Sequence, residues 1–441
     1  MTNLEMLSLK SRFSGLKAVQ EIGRICAVEG NLLRIQGLGG LARVGDSLEI
    51  ETSMQTLLTG EVIQLHGAEI SVLPNGSPEG VAINDRVRLI GSFELKPSSD
   101  WIGRIINAQG QPIDGQPLMS GSEPVPIKRM PPNATVRKPL GERLETGLPI
   151  FNTMLPIVRG QRIGLFAGSG VGKSTLLARL ASDMSADVVV IALVGERGRE
   201  IREFVENALG KEGMARSVVI AATSDQPPSV RKRCALTAMA TAEFFRDQGK
   251  HVLLLVDSVT RFAEAHREVA VAGGEMPSLR GYPPSTAHTI MSLCERAGPG
   301  EEGQGDITAV FSVLVAGSDM DEPIADILRG VLDGHVVLDR KIAERGRFPA
   351  VDIVRSVSRS LPSAANEMEN KTITTVRRLL GAYDESEVMI KAGLYNEGSD
   401  PVLDVAIRAW PDLDKFWAEA GHQKTKHCFS KLNLILRRAK A

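Results

Sequence analysis

Residues 162–175 read RIGLFAGSGVGKST, and the rest of the chain is organised around them. Ile163–Phe166 is a short apolar run suited to a buried strand, a glycine-rich turn follows, and a helix is expected to open near Lys173. In such a turn successive backbone N–H groups point inward and make a concave anion site, reinforced by the positive end of the following helix. Gly168, Gly170 and Gly172 lack side chains, so phosphate oxygens can approach the main chain closely. Lys173 reaches the outer phosphates and the Ser174 hydroxyl can ligate the magnesium that accompanies a nucleotide. The nucleotide-binding run is therefore Ala167, Gly168, Ser169, Gly170, Val171, Gly172, Lys173, Ser174 and Thr175; the usual pattern begins with glycine, and Ala167 is the one departure. The expected ligand is ATP or GTP.

Working outward, the chain has 441 residues, enough for several domains and a large core. Charged residues make up 24% and nearly cancel, leaving a net charge of -1 and no global support for nucleic-acid binding. The four cysteines (Cys26, Cys234, Cys294, Cys428) have no metal-ligand spacing and read as buried small hydrophobes in a reducing compartment. No run approaches the length of a membrane-spanning helix and the N-terminus lacks the apolar centre of a signal peptide, which points to the cytosol or the cytosolic face of a membrane.

Residues 1–18 suggest a short helix, too mixed to fold alone, which is either a frayed end or a docking segment for a partner, the second being the preferred reading. From 19 to 91, glycine-punctuated strands at Val19–Val28, Asn31–Ile35, Ser47–Glu51, Gly60–Leu65, Ile70–Leu73 and Arg86–Ile90 indicate a small closed or sandwich β domain. No aromatic series accompanies them, which argues against an oligonucleotide-binding surface. A proline- and glycine-rich junction leads into alternating strands and helices, the pattern of a parallel α/β sheet, extending to about residue 365. Expected strands there are Asp187–Leu193, Val218–Ala222, His251–Val256, Ile307–Val315 and His335–Leu338, with a helix carrying Ile201, Phe204, Val205 and Ala208 on one side. From 366 to 441 only helices are expected, at Thr372–Leu380, Glu385–Gly393, Val402–Arg408 and Cys428–Ala439. The last of these is basic (Lys424, Lys426, Lys431, Arg437, Arg438, Lys440), either a solvated face or a contact for an acidic partner.

Open α/β sheets bind ligands beyond the carboxyl ends of their strands. Glu196 and Arg197 follow one such end, and Asp257 closes the apolar run HVLLLV. Asp257 is the expected holder of magnesium through its water shell, with capping of the next helix as the alternative. Glu196 is the best candidate to orient and polarise an attacking water; Glu200 and Glu203 are read as an exposed charged face instead. Arg261, one helical turn beyond Asp257, can add positive charge to the same site.

The segments GLFAGSGVGKST (164–175), VGERGRE (194–200), LLLVDSVTRF (253–262), GYPPST (281–286), GRIINAQGQPIDG (103–115) and LDGHVVLDRKIAERGRFPAVDIVRSVSR (332–359) together resemble the catalytic subunits of rotary ATP synthases. They are still more similar to the flagellar and type III secretion export ATPases, over Val19 to about Arg408. The resemblance implies a RecA-like P-loop NTPase core between a small N-terminal β-barrel and a C-terminal helical domain. It implies ATP and Mg2+, with Lys173 and Ser174 on phosphate and metal, Glu196 activating water, Asp257 near the metal and Arg261 beside it. Phe348 then stands against the adenine ring, and Arg359 is the arginine finger that enters a neighbouring subunit's site. Glu196 and Arg359 occur here in one chain, so identical subunits can complete each other's sites, and a homohexamer is expected. By the same resemblance the partners are a stator-like regulator at the N-terminus, a central stalk protein, and export substrates with their chaperones, at a membrane export gate. A virulence secretion ATPase, a synthase subunit and an RNA translocase like the termination factor Rho are the alternative readings.

Overall fold

The computed structural model describes residues 20–315, 320–419, 421 and 424–440. They divide into two compact units: residues up to Phe93 together with Glu268–Glu275, and the remainder. The docking segment expected at 1–18 lies outside the described residues.

In the first unit, β1 (Ile22–Glu29), β2 (Leu32–Gln36), β3 (Asp46–Glu51), β4 (Leu57–His66), β5 (Glu69–Pro74) and β6 (Arg86–Ser92) close into a barrel in the order β1-β2-β5-β4-β3-β6. Alternate residues of these strands (Ile25, Leu33, Ile35, Leu48, Ile50, Val62, Val72, Val87) are buried and fill its interior. Closure pairs every strand on both sides and removes exposed edges. Cys26 is only partly buried here, unlike the fully enclosed thiols of Cys234, Cys294 and Cys428.

The second unit is built on a nine-stranded sheet, whose main path uses β7 (Ile105–Ile106), β8 (Arg162–Ala167), β9 (Val188–Glu196), β10 (Ser217–Thr223), β11 (His251–Asp257), β12 (Asp306–Leu314), β13 (Gly334–Leu338) and β14 (Val351–Ser358). Their order is β14-β13-β8-β12-β11-β9-β10-β7, parallel except for β14, which runs antiparallel to β13. The central strands are continuous apolar runs because helices cover both faces. Helices of this unit are α1 (Lys173–Asp183), α2 (Gly198–Glu203), α3 (Gly210–Met214), α4 (Pro228–Asp247) and, up to Arg267, α5 (Val259–Ala272). They are followed by α6 (Ser285–Arg296), α7 (Pro323–Val331) and α8 (Arg340–Glu344). Register does the positioning: Leu193 pairs with Asp257 and Ala167 with Leu314, so the carboxyl ends of β8, β9, β11 and β12 lie on one side of the sheet, with Glu196 carried past the end of β11.

The structure differs from the sequence reading in several places, each for a physical reason. The junction after the barrel contributes β7 to the sheet edge, a strand of two residues too short to leave a periodic signature. β14 was not expected, because as an edge strand it exposes Val354, Arg355 and Val357 and breaks the apolar pattern. The helix after Glu196 is divided: between α2 and α3 lies a π-helical turn, Phe204–Leu209. That turn carries an extra residue, so the buried stripe passes from Ile201 and Phe204 to Leu209 and leaves Ala208 exposed. Finally, the helices expected at 372–380 and 385–393 are one, α9 (Glu367–Lys391), begun by a capping box between Asn366 and Glu369.

Two further helices complete the C-terminal part, α10 (Pro401–Trp417) and α11 (Thr425–Lys440). α10 continues past Pro411, beyond the Val402–Arg408 expected from the sequence. An internal proline costs about 3 kcal/mol. Leu413, Phe416 and Trp417 beyond it are each about 1% exposed, and burying three such side chains contributes roughly 1.5–3 kcal/mol apiece. Packing wins.

Candidate active site

β8 ends at Ala167, which is 1% exposed and paired on both sides, to Leu314 and Leu338. An extended strand residue needs no glycine, which is why the departure from the usual loop pattern is tolerated. The chain then turns through Gly170 and Gly172, at φ 75° and 86°, where a side chain would be strained. Gly172 caps α1 without any side-chain hydrogen bond, so the first-turn N–H groups face the loop. A Cβ on Gly172 would also stand 3.2 Å from the Phe348 ring, which places that half-exposed aromatic directly against the loop.

The loop forms one wall of a cleft of about 1020 Å³. Gly168, Ser169, Gly170, Lys173, Ser174 and Thr175 line that wall; Val171, 2% exposed, turns into the core. Lys173 is ion-paired to Oδ1 of Asp257, the last residue of β11, and the same oxygen accepts a hydrogen bond from the Ser312 hydroxyl at 2.6 Å. Asp257 is only 2% exposed, so its charge is stable there because Lys173 and Ser312 compensate it.

Glu196 is the last residue of β9 rather than part of a following loop. The strand register slips between Val194 and Glu196, with Gly195 in the left-handed region at φ 66°, and the resulting bulge re-aims Glu196 toward the cleft. A Cβ on Gly195 would lie 3.3 Å from Cδ of Arg261. Glycine there lets the Arg261 side chain, rising from α5, cross the strand and pair with Glu196 Oε1 at 2.7 Å. The Glu196 carboxyl is nevertheless raised to about 7, first by burial, then by the neighbouring Asp257 charge and by a hydrogen bond with Glu200; Lys173 and Arg261 pull it down only partly. Glu200, conversely, is held below the usual carboxylate range by that hydrogen bond.

Glu200 therefore faces the cleft, contrary to its reading as a solvated charge; Glu203 is indeed exposed. The first turn of α2 directs Glu200 back over Glu196, a consequence of the strand-to-helix bend that spacing alone does not reveal. Arg197 is exposed and pairs with Glu200 at 3.0 Å. Other residues of the cleft escaped the sequence reading: Thr260, Glu264, Arg280, Tyr282 and Glu322. Tyr282 belongs to the GYPPST segment and carries the Arg267 guanidinium 5.1 Å over its ring. Arg280 holds a left-handed backbone at φ 57° and donates to the Asp321 carbonyl at 2.6 Å.

Arg359 is not brought into this cleft. It follows β14, is exposed, and donates to the carbonyls of Arg329 at 3.1 Å and Asp333 at 3.0 Å. Among the described residues no group of three or more His, Cys, Asp or Glu side chains is placed to hold a metal unaided. A hydroxyl (Ser174) and one carboxylate (Asp257) beside an anion-binding loop instead suit magnesium, which takes few protein ligands and completes its shell with phosphate oxygens and water.

A family model described as the ATP synthase alpha/beta family, nucleotide-binding domain, matches residues 147–358, and one described as the T3SS EscN ATPase C-terminal domain matches residues 365–429. A flagellum-specific ATP synthase of Caulobacter vibrioides is 45% identical over 429 residues, covering 95% of this chain and 96% of that protein. Its counterpart in Bacillus subtilis is 43% identical and covers 89% and 90%. Among solved structures, the assembled ATPase EscN from the type III secretion system of enteropathogenic E. coli superposes with a TM-score of 0.85 at 35% identity, covering 95% of this chain and 100% of that one. EscN in complex with its central stalk EscO gives 0.84 at 34% identity, covering 94% and 100%. The chain belongs to the ATP synthase alpha/beta family, among the flagellum-specific ATP synthases and type III secretion ATPases.

Proposed function

We propose that the chain hydrolyses ATP to energise protein export at a flagellar type III apparatus, working as a ring of six identical subunits. The flagellum-specific names of its relatives support the flagellar assignment over a virulence system. In this reading Lys173 and the loop from Ala167 to Thr175 hold the phosphates, and Phe348 packs on the adenine. Ser174 and Asp257 hold magnesium, which when bound neutralises phosphate charge. Glu196, as carboxylate, takes the proton of a water whose oxygen attacks the outer phosphorus, while the bond to the bridging oxygen breaks and ADP leaves. Arg261 keeps Glu196 oriented, Arg197 stands at the cleft's rim, and Arg359 of the next subunit supplies the last positive charge.

One observation carries it. Lys173, Asp257, Glu196 and Arg261 converge beside the loop at the carboxyl ends of the strands, whereas Arg359 lies outside its own cleft on an exposed edge. A finger that cannot serve its own subunit is what shared sites require, and such a finger in trans is worth about three to five orders of magnitude in rate. The solved EscN–EscO complex supports a central stalk partner for this ring. A regulator on residues 1–18 and contacts with export substrates and chaperones belong to the same proposal, as do domain boundaries at 91 and 365 and attachment at the membrane. Among the described residues no helix is long and apolar enough to cross a membrane.

The test mixes two inactive proteins, Glu196→Ala and Arg359→Ala. Shared sites predict partial recovery of ATPase turnover, because some interfaces pair an intact Glu196 with an intact Arg359. No recovery at any ratio refutes the arrangement.

A further inference from the structure

A second cavity, of about 420 Å³, lies behind the catalytic carboxylate. At its inner end it shares Ser174, Thr175, Glu196 and Glu200 with the nucleotide cleft and also touches Asp257. Its outer end is formed by Glu203, Asn207 and Ala208, all exposed. The volume exceeds that of several water molecules, each taking about 30 Å³ in the liquid.

We propose that this cavity is the entry path by which water reaches Glu196 once nucleotide fills the cleft, and that the π-helical turn at Phe204–Leu209 holds it open. The inference rests on Glu196 as the residue that activates water. Three observations point to it.

The first is connectivity. A bound ligand buries most of its surface in such a cleft, and a neighbouring subunit closes it further. Glu196 then stays connected to solvent through this cavity, which runs from Ser174 and Thr175 past Glu196 to the exposed residues Glu203, Asn207 and Ala208. The second is the π-turn, a distortion that concentrates at functional sites. A continuous α-helix would carry Ala208 into the buried stripe with Ile201 and Phe204; the extra residue passes that role to Leu209 and leaves Ala208 at the cavity's mouth. The third is polarity: Glu196, Glu200, Glu203, Asn207 and Asp257 line the cavity, so entering water finds hydrogen-bond partners along its length.

The test plugs the mouth from the solvent side in the full-length chain, with Ala208→Trp and, independently, Asn207→Phe; Ala208→Ser serves as control. Single-turnover cleavage is followed by acid quench, phosphate release by a fluorescent phosphate sensor, and nucleotide binding by a fluorescent ATP analogue. The expected result is cleavage slowed roughly tenfold in either plugged variant, with nucleotide affinity retained and Ala208→Ser unchanged. Cleavage at the wild-type rate in a variant that binds nucleotide overturns the proposal. Slowed release with unchanged cleavage overturns it too, by making the cavity a phosphate exit. Failure of the underlying reading is separable: Glu196→Gln cleaving at the wild-type rate removes Glu196 as the activating group, whatever the plugs do.

Discussion

Replacing Arg261 by alanine should move the acidic limb of the pH–rate profile upward by at least about one pH unit. In the proposed mechanism Glu196 acts as a carboxylate, and in the free protein its carboxyl is raised to about 7. A raised value means the active form is lost as pH falls through it, so kcat/KM, which reports the free enzyme, rises with pH to a midpoint near that value. Arg261 lies 2.7 Å from Glu196 Oε1 and opposes the rise. At about 3 Å, one unit charge is worth roughly 1.4 kcal/mol at the dielectric of water and roughly 5.5 kcal/mol at an effective value of 20. The Arg261 side chain is 26% exposed and also donates to the Gly195 carbonyl, so screening keeps the effect below the second figure, and the first is its lower bound. That lower bound corresponds to about one pH unit. At pH 7 the ionised fraction then falls from about a half to about a tenth or less, a loss of at least roughly fivefold and distinct from any contribution of Arg261 to phosphate binding. The assay is steady-state ATPase at low ATP between pH 5.5 and 9, with Arg261→Lys expected to restore most of the midpoint. An unchanged midpoint in Arg261→Ala, or a wild-type limb lying in the ordinary carboxylate range, refutes the reasoning.

Gly195→Ala should reduce turnover without unfolding the protein: its added Cβ meets Arg261 Cδ at 3.3 Å in a left-handed backbone, which disturbs the Arg261–Glu196 pair, and the loss is read as lower kcat with nucleotide affinity retained. Gly172→Ala should instead weaken nucleotide binding, since the strained turn and the approach to Phe348 both distort the loop; equilibrium titration with a fluorescent nucleotide tests it. Glu243→Ala should destabilise the fold by about 3–5 kcal/mol in urea unfolding, because Arg296, 2% exposed and donating through Nε and Nη2 to the two carboxylate oxygens of Glu243, is left as a buried charge without its counter-ion. Replacing both by leucine should recover most of that loss.

The anion loop, the apolar strands and their alternation with helices were legible in the chain because each depends on neighbours within a few residues. Lys173, Ser174, Glu196, Asp257 and Arg261 could be singled out for the same reason: each sits a fixed step beyond an apolar run. Phe348 and Arg359 carried no such local mark and were named only through resemblance. What tertiary structure alone decided are the relations between distant segments. The register that levels Leu193 with Asp257 brings Glu196 near the phosphate loop, and the bulge at Gly195 clears a path for Arg261. The bend into α2 turns Glu200 inward, and the π-turn exchanges Leu209 for Ala208 in the core. α10 passes Pro411 because apolar burial beyond it outweighs the missing hydrogen bond. Local preference is encoded residue by residue, but which charges face one another, and which preference is overruled, depends on packing free energy summed over parts of the chain far apart in order.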